Sequence, residues 1–353
     1  MTNDKGARTS GGAPRTRARC ALAGRGRPRL VAHADWGTSP RKRWLARAVL
    51  DSPGRYVAHP PEPVGDANTL LRRLLAAAGG EGTVFAGFDF PIGLPAAYAE
   101  RVFLDDFLVA LARFGEGEWA DFYRVATRPA EIGLHRPFYP QRPGGTRRAH
   151  LITGLGLSVA EELLRTCDRA HENRHAAAPI FWTLGAQQVG KGAIAGWREV
   201  LAPALRAADL DVVIWPFSGH LRDLFRRGRV VVAETYPTEC YGHIGVDLRR
   251  GTTNGRSGKR QPRSRAANAS ALRAWARSTD VMLAPALVSA IEDGFGTSEH
   301  GEDQFDAVIG LLGMLNVVLG GRPPGDPVDE RVRRVEGWIL GQVTSPPTPR
   351  GGR

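Results

Sequence analysis

Short apolar runs that end on an acid punctuate this chain. Leu30-Val31-Ala32-His33-Ala34 runs into Asp35, Thr83-Val84-Phe85-Ala86-Gly87-Phe88 into Asp89, and Val230-Val231-Val232-Ala233 into Glu234. Runs of this length, rich in β-branched and aromatic residues, predict buried strands. The whole pattern predicts strands at 30–35, 43–50, 55–59, 83–88, 211–215 and 229–234. It predicts helices at 66–78, near 97–113, 158–175 and 192–208, and at 266–277, 284–292 and 302–319. Three strands, a helix and a fourth strand, then strands mixed with helices, imply an α/β fold: a mixed sheet flanked by helices. About 145 residues separate Asp89 from Glu234, far more than a helical crossover needs. A mostly helical insertion at about 96–208 accounts for the excess.

Composition adds domain limits and charge. With 353 residues the chain can bury a substantial core. Residues 1–29 hold eight Lys/Arg against one Asp and almost no large apolar residue, so they read as a disordered basic tail. Residues 30–322 read as the folded domain, and 323–353, with Pro-Pro-Gly-Asp-Pro at their start, as linker and tail. A second basic stretch, 249–265, holds seven Lys/Arg and no acid. The net charge is +12, and these two stretches carry it, leaving the remainder close to neutral. Basic appendages on a neutral body suit a polyanion, most simply nucleic acid. Cys20, Cys167 and Cys240 are too sparse for a disulfide framework, which suits a cytoplasmic protein. The longest apolar stretch, Ala307 to Leu319, is too short and Gly-rich to span a membrane, and no secretory signal is expected at the amino terminus.

The acids carry the candidate chemistry. Asp35, Asp89 and Glu234 close buried strands, while Asp303 and Asp306 open the helix at 302–319. Residues three apart share a helix face, so Asp303 and Asp306 point the same way. Ala307, Gly310 and Gly313 continue that face, and small residues there let the helix pack closely on a sheet. Carboxylates at strand ends facing an Asp-x-x-Asp pair make a cage for a hard divalent cation, Mg²⁺ or Mn²⁺. Arg249, Arg250, Lys259, Arg260 and Arg263 lie between Glu234 and the acidic helix, placed to grip backbone phosphates.

This order of elements, with acids at these points, resembles the ribonuclease H-like superfamily. Ala34-Asp35-Trp36-Gly37, Gly87-Phe88-Asp89-Phe90-Pro91-Ile92-Gly93-Leu94-Pro95, Glu234-Thr235-Tyr236-Pro237 and Asp303-Gln304-Phe305-Asp306-Ala307 resemble the RNase H-like nuclease family catalogued as domain of unknown function 429. The last string is also similar to the final helix of RuvC-type resolvases. The resemblance covers roughly 30–95 and 229–320, and leaves the insertion unexplained. It implies a nuclease in which Asp35, Asp89 and Asp306 hold metal, with Glu234 or Asp303 completing the shell. Asp89 departs from the Glu that many of these nucleases carry. Asp35 would bridge two ions about 4 Å apart, and the reaction would be phosphodiester hydrolysis of nucleic acid.

Three other readings are available. A chain of this fold can bind nucleic acid without cleaving it. His171-Glu172-Asn173-Arg174-His175 matches the His-Glu-x-x-His pattern of zinc peptidases, which needs both imidazoles on one helix face. Gly185-Ala186-Gln187-Gln188-Val189-Gly190-Lys191-Gly192 falls one hydroxyl short of a phosphate-binding loop, and Lys191 there can hold a substrate phosphate near the carboxylates. His300, just ahead of the acidic helix, is a further candidate to orient water or phosphate.

Overall fold

The computed structural model describes residues 26–51, 54–172, 174–185, 188–250 and 258–343. Most of the basic tail, the stretch 251–257 and the end of the chain from 344 lie outside the described residues, as do Ala186 and Gln187 of the glycine-rich loop.

Among the described residues, eight strands form one mixed sheet: β1 (Leu30–Asp35), β2 (Trp44–Leu50), β3 (Tyr56–Ala58), β4 (Glu62–Pro63), β5 (Val84–Phe88), β6 (Asp211–Ile214), β7 (Arg229–Glu234) and β8 (Met282–Leu283). Their order is β6-β7-β5-β1-β2-β3-β8, with β4 paired to β2 off that row. β6, β7, β5 and β1 run parallel, and β2 turns back antiparallel to β1 and β3. The α-helices among the described residues are α1 (Leu70–Ala77), α2 (Ala96–Arg101), α3 (Phe107–Arg113), α4 (Ala149–Gly154), α5 (Val189–Gly196), α6 (Ala202–Arg206), α7 (Leu221–Leu224), α8 (Pro237–Ile244), α9 (Pro262–Ala266), α10 (Ala269–Thr279), α11 (Pro285–Glu292) and α12 (Gly301–Val318). None is long and apolar enough to cross a membrane.

Strand side chains alternate between faces, and each face has its own core. Ala32, Ala34, Ala86, Phe88, Val230 and Val232 pack with α1 and the insertion. Val31, Phe85, Val231 and Ala233 pack with α8 and α12. α12 is buried continuously from Phe305 to Val318, so its apolar residues run all round rather than along one stripe. A Cβ on Gly310 would stand 2.2 Å from the His33 ring, and one on Gly313 2.2 Å from Cys240 Sγ. Those two glycines let α12 press against β1 and α8. Burial drives the His33 pKa down to about 4, and its neutral ring donates from Nδ1 to the Ala307 carbonyl at 3.0 Å.

Three expectations need correction. The helix expected near 97–113 is two helices, broken where Phe103 adopts φ 52°. The helix expected over 158–175 does not form: there are 3₁₀ turns at Ala160–Leu163 and Thr166–Asp168, then a bridge between His171 and Arg174. Residues 323–343 are no linker. Val335, Trp338, Ile339 and Leu340 are buried, and Ile339 bridges to Glu234 in parallel.

Candidate metal centre at the strand ends

Register decides which strand-end acids meet. Ala34 pairs with Phe88, and Phe88 with Glu234. Asp35 and Asp89 are each one residue further on, so they lie side by side at the ends of adjacent parallel strands. The ladder continues to this point, with Asp89 N donating to Ala34 O at 3.1 Å. Both acids share the parity of Val31 and Phe85, so both belong to the face that α12 covers. Glu234 is in register with Phe88 and shares its parity, so it belongs to the opposite face.

A cleft of about 390 Å³ opens at these strand ends, lined by Asp35, Asp89, Glu234, Thr235, Lys259, Glu302, Asp303 and Asp306 among others. Among the described residues, Asp35 and Asp89 have no hydrogen-bond or ion-pair partner for their carboxylates. Burial, then the charges of Asp306, Asp89 and Asp303, push Asp35 well above the usual carboxylate range, with Lys259 pulling the other way. Burial and Asp306 push Asp89 up to about 7, again against Lys259. Asp303, raised mainly by burial to about 6, has one carboxylate oxygen buried without a partner.

Asp306 is 5 % exposed and both its oxygens are engaged: Tyr241 donates to Oδ1 at 3.0 Å and Lys259 Nζ to Oδ2 at 2.7 Å. Lys259 also pairs with Glu302 at 3.1 Å. Burial works against its charge, but Asp306 and Glu302 outweigh that and hold the ammonium above its ordinary value.

The expected role of Glu234 as a metal ligand does not fit this geometry. Arg165, fully buried, donates to both Glu234 oxygens at 2.6 and 2.7 Å and to both Asp168 oxygens at 2.8 and 2.9 Å. Ile92 N adds a third bond to Glu234 at 2.7 Å. The carboxylate is held by the insertion and closes the far wall of the cleft. The sequence hid Arg165 because it sits inside the segment that reads as a helix.

The basic residues divide. Lys259 enters the cleft, and Arg260 lies 3.9 Å from Glu302 at its edge. Arg249 is exposed and paired with Asp247, and Arg263 is exposed on α9. Arg250, also exposed, ends the described stretch before 251–257. Lys191 does not reach the carboxylates. It lines a neighbouring groove with Gln141, Arg198 and Thr38, and Thr38 alone is shared with the cleft. His300 packs against Trp44 instead of lining the cleft. The zinc pattern loses its helix, and His171 Nε2 meets Glu239 at 3.2 Å.

Thr235 is the residue that reading the sequence missed. It follows Glu234, so it stands in register with Asp89 and returns to the α12 face. It lines the cleft, is 3 % exposed, and its hydroxyl has no hydrogen-bond partner among the described residues. Alternation from Val231 through Ala233 would have found it. An uninterrupted apolar run, typical of a strand buried on both faces, conceals that parity.

No protein-family model, curated protein or solved structure matches this chain.

The side chains fit a hard divalent cation in a limited way. Among the described residues, no three His, Cys, Asp or Glu side chains are already gathered as a ligand set. The adjacent carboxylates of Asp35 and Asp89, the unpaired oxygen of Asp303 and the buried Thr235 hydroxyl remain, and no His or Cys is among the described residues lining the cleft. That oxygen-only set suits Mg²⁺ or Mn²⁺, which bind through one or two carboxylates and keep several waters.

Proposed function

We propose that this chain is a metal-dependent phosphodiesterase of RNase H-like architecture, acting on nucleic acid. The observation that carries the reading is the pair Asp35 and Asp89, side by side in the cleft, with no hydrogen-bond or ion-pair partner for either carboxylate among the described residues. Burial, and next the charge of Asp306, raise the pKa values of both, and Asp89 adds to the rise at Asp35. A divalent cation opposes that rise. Mg²⁺ or Mn²⁺, once bound, supplies the charge that lowers the pKa of attacking water and stabilises the phosphate. Asp35 and Asp89 would hold the ion, each in its ionised form. Lys259 meets the negative charge of the substrate, and Asp306 keeps Lys259 in place. Arg165 and Glu234 brace the wall formed by the insertion. Arg260, at the edge of the opening, offers charge to a phosphate backbone, and the exposed Arg249, Arg250 and Arg263 can meet the same backbone further along.

The test is strand cleavage with Mn²⁺. The parent chain should cleave labelled DNA or RNA when Mn²⁺ is supplied. Asp89→Asn should lower the rate by about 100-fold or more, the scale of removing one preorganised electrostatic group. Binding without cleavage in the parent would identify a non-catalytic nucleic-acid-binding module instead. Equal rates for parent and Asp89→Asn would remove this residue from the mechanism.

A further inference from the structure

We infer that Lys259 is itself one of the two cations of this cleft, so that each chain loads a single divalent ion. The inference rests on the reading of the cleft as a metal centre and departs from the two-ion scheme that the resemblance implies. In that scheme Asp306 holds an ion. Here both Asp306 oxygens are engaged, by the Tyr241 hydroxyl and by the Lys259 ammonium. Glu302, one helical turn before Asp306, takes the same ammonium at 3.1 Å. Asp306 and Glu302 therefore already have their positive charge, while Asp303 has none paired to it among the described residues.

The lysine is held from behind. Its carbonyl accepts from Arg265 Nη1 at 2.6 Å. Arg265 is 2 % exposed and also donates to Gly294 O and Gly296 O, at 2.6 and 2.8 Å. A buried guanidinium fixed to three carbonyls sets the backbone of Lys259 at the mouth of the cleft. An ammonium has three donors. Asp306 and Glu302 take two, and the third is left for a phosphate oxygen, with the Lys259 side chain 31 % exposed. A lysine serves a phosphate as a point charge, the service a second divalent ion would give.

The divalent ion then belongs to the other side of the cleft, on Asp35 and Asp89. Next to them in register, the buried Thr235 hydroxyl has no partner among the described residues and offers that ion a further oxygen.

The experiment counts Mn²⁺ bound per chain, by calorimetry and by electron paramagnetic resonance of free Mn²⁺, without substrate. The parent should bind one ion. Lys259→Gln, which keeps length and a donor but removes the charge, should bind two. Asp306→Asn should still bind one, because that residue does not hold the ion. Two ions on the parent, or loss of the ion in Asp306→Asn, would overturn the assignment of Lys259 and leave the metal-centre reading standing. One ion on a folded Lys259→Gln would also overturn it. No ion on the parent would overturn the metal-centre reading itself. The parent and Asp306→Asn titrations decide the matter even if Lys259→Gln does not fold.

Discussion

At the scale of single residues, the informative contrast is between Glu234 and Thr235. Glu234 ends β7 and Thr235 follows it, and strand alternation sends them to opposite faces. Glu234 meets Arg165, while Thr235 joins the row of Asp35 and Asp89. The Thr235 hydroxyl is buried with no bond to lose, and replacing such a group by an apolar one of the same shape is neutral or stabilising. Thr235→Val should therefore melt at the parent temperature or higher. Its affinity for Mn²⁺ should fall about tenfold, the low end of what supporting groups contribute. Unchanged Mn²⁺ affinity in a folded Thr235→Val would remove the hydroxyl from the site. Asp35 and Asp89 were legible in the sequence because each closes a run whose length gives its register. Glu234 closes a similar run, but nothing in Val230-Val231-Val232-Ala233 says which face comes last. Lys259 was legible as a cation near the site, though not as the partner of Asp306, because that pairing depends on how Arg265 anchors the backbone.

At the scale of elements, the long periodic segments were legible. β1, β5, β7 and α12 fall within a residue or so of where the apolar pattern puts them. α8 was missed although Pro237 opens it and Gly245, at φ 81°, closes it, the usual asymmetry of helix ends. The segment 158–175 failed for a tertiary reason. Its backbone serves buried carboxylates: Thr166 N donates to Glu336 at 2.7 Å and Arg165 N to Asp168 at 3.3 Å. Arg165 binds this segment to the end of β7 and to the chain after 335, donating to Glu336 O at 3.2 Å. Arg165→Met would leave Glu234 and Asp168 buried without their counter-charge. Breaking a buried pair in this way costs about 3–5 kcal/mol. Urea denaturation of the variant should show a loss of that size. A loss below about 1 kcal/mol, no more than an exposed ion pair is worth, would mean that the network does not hold the insertion.

At the scale of the whole molecule, the cleft ties stability to pH and to metal. Asp35, Asp89 and Asp303 have folded-state pKa values raised above their unfolded ones, to about 7 for Asp89 and about 6 for Asp303. Below the unfolded value near 3.8 these groups are protonated in both states and exact no penalty. As pH rises the unfolded chain ionises first, so the folded state loses stability, through about 6 for Asp303 and about 7 for Asp89. A divalent cation on Asp35 and Asp89 reverses this, because it favours the ionised carboxylates and displaces their protons. Mn²⁺ binding should then strengthen with pH and release protons near neutrality. The measurement that tests this most directly is calorimetric titration of Mn²⁺ into the parent, Asp35→Asn and Asp89→Asn at pH 5.5 and pH 8, in buffers of different ionisation enthalpy. The account predicts tighter binding at pH 8 with proton release in the parent, and binding lost in both variants. Binding of equal strength in parent and variants would contradict it.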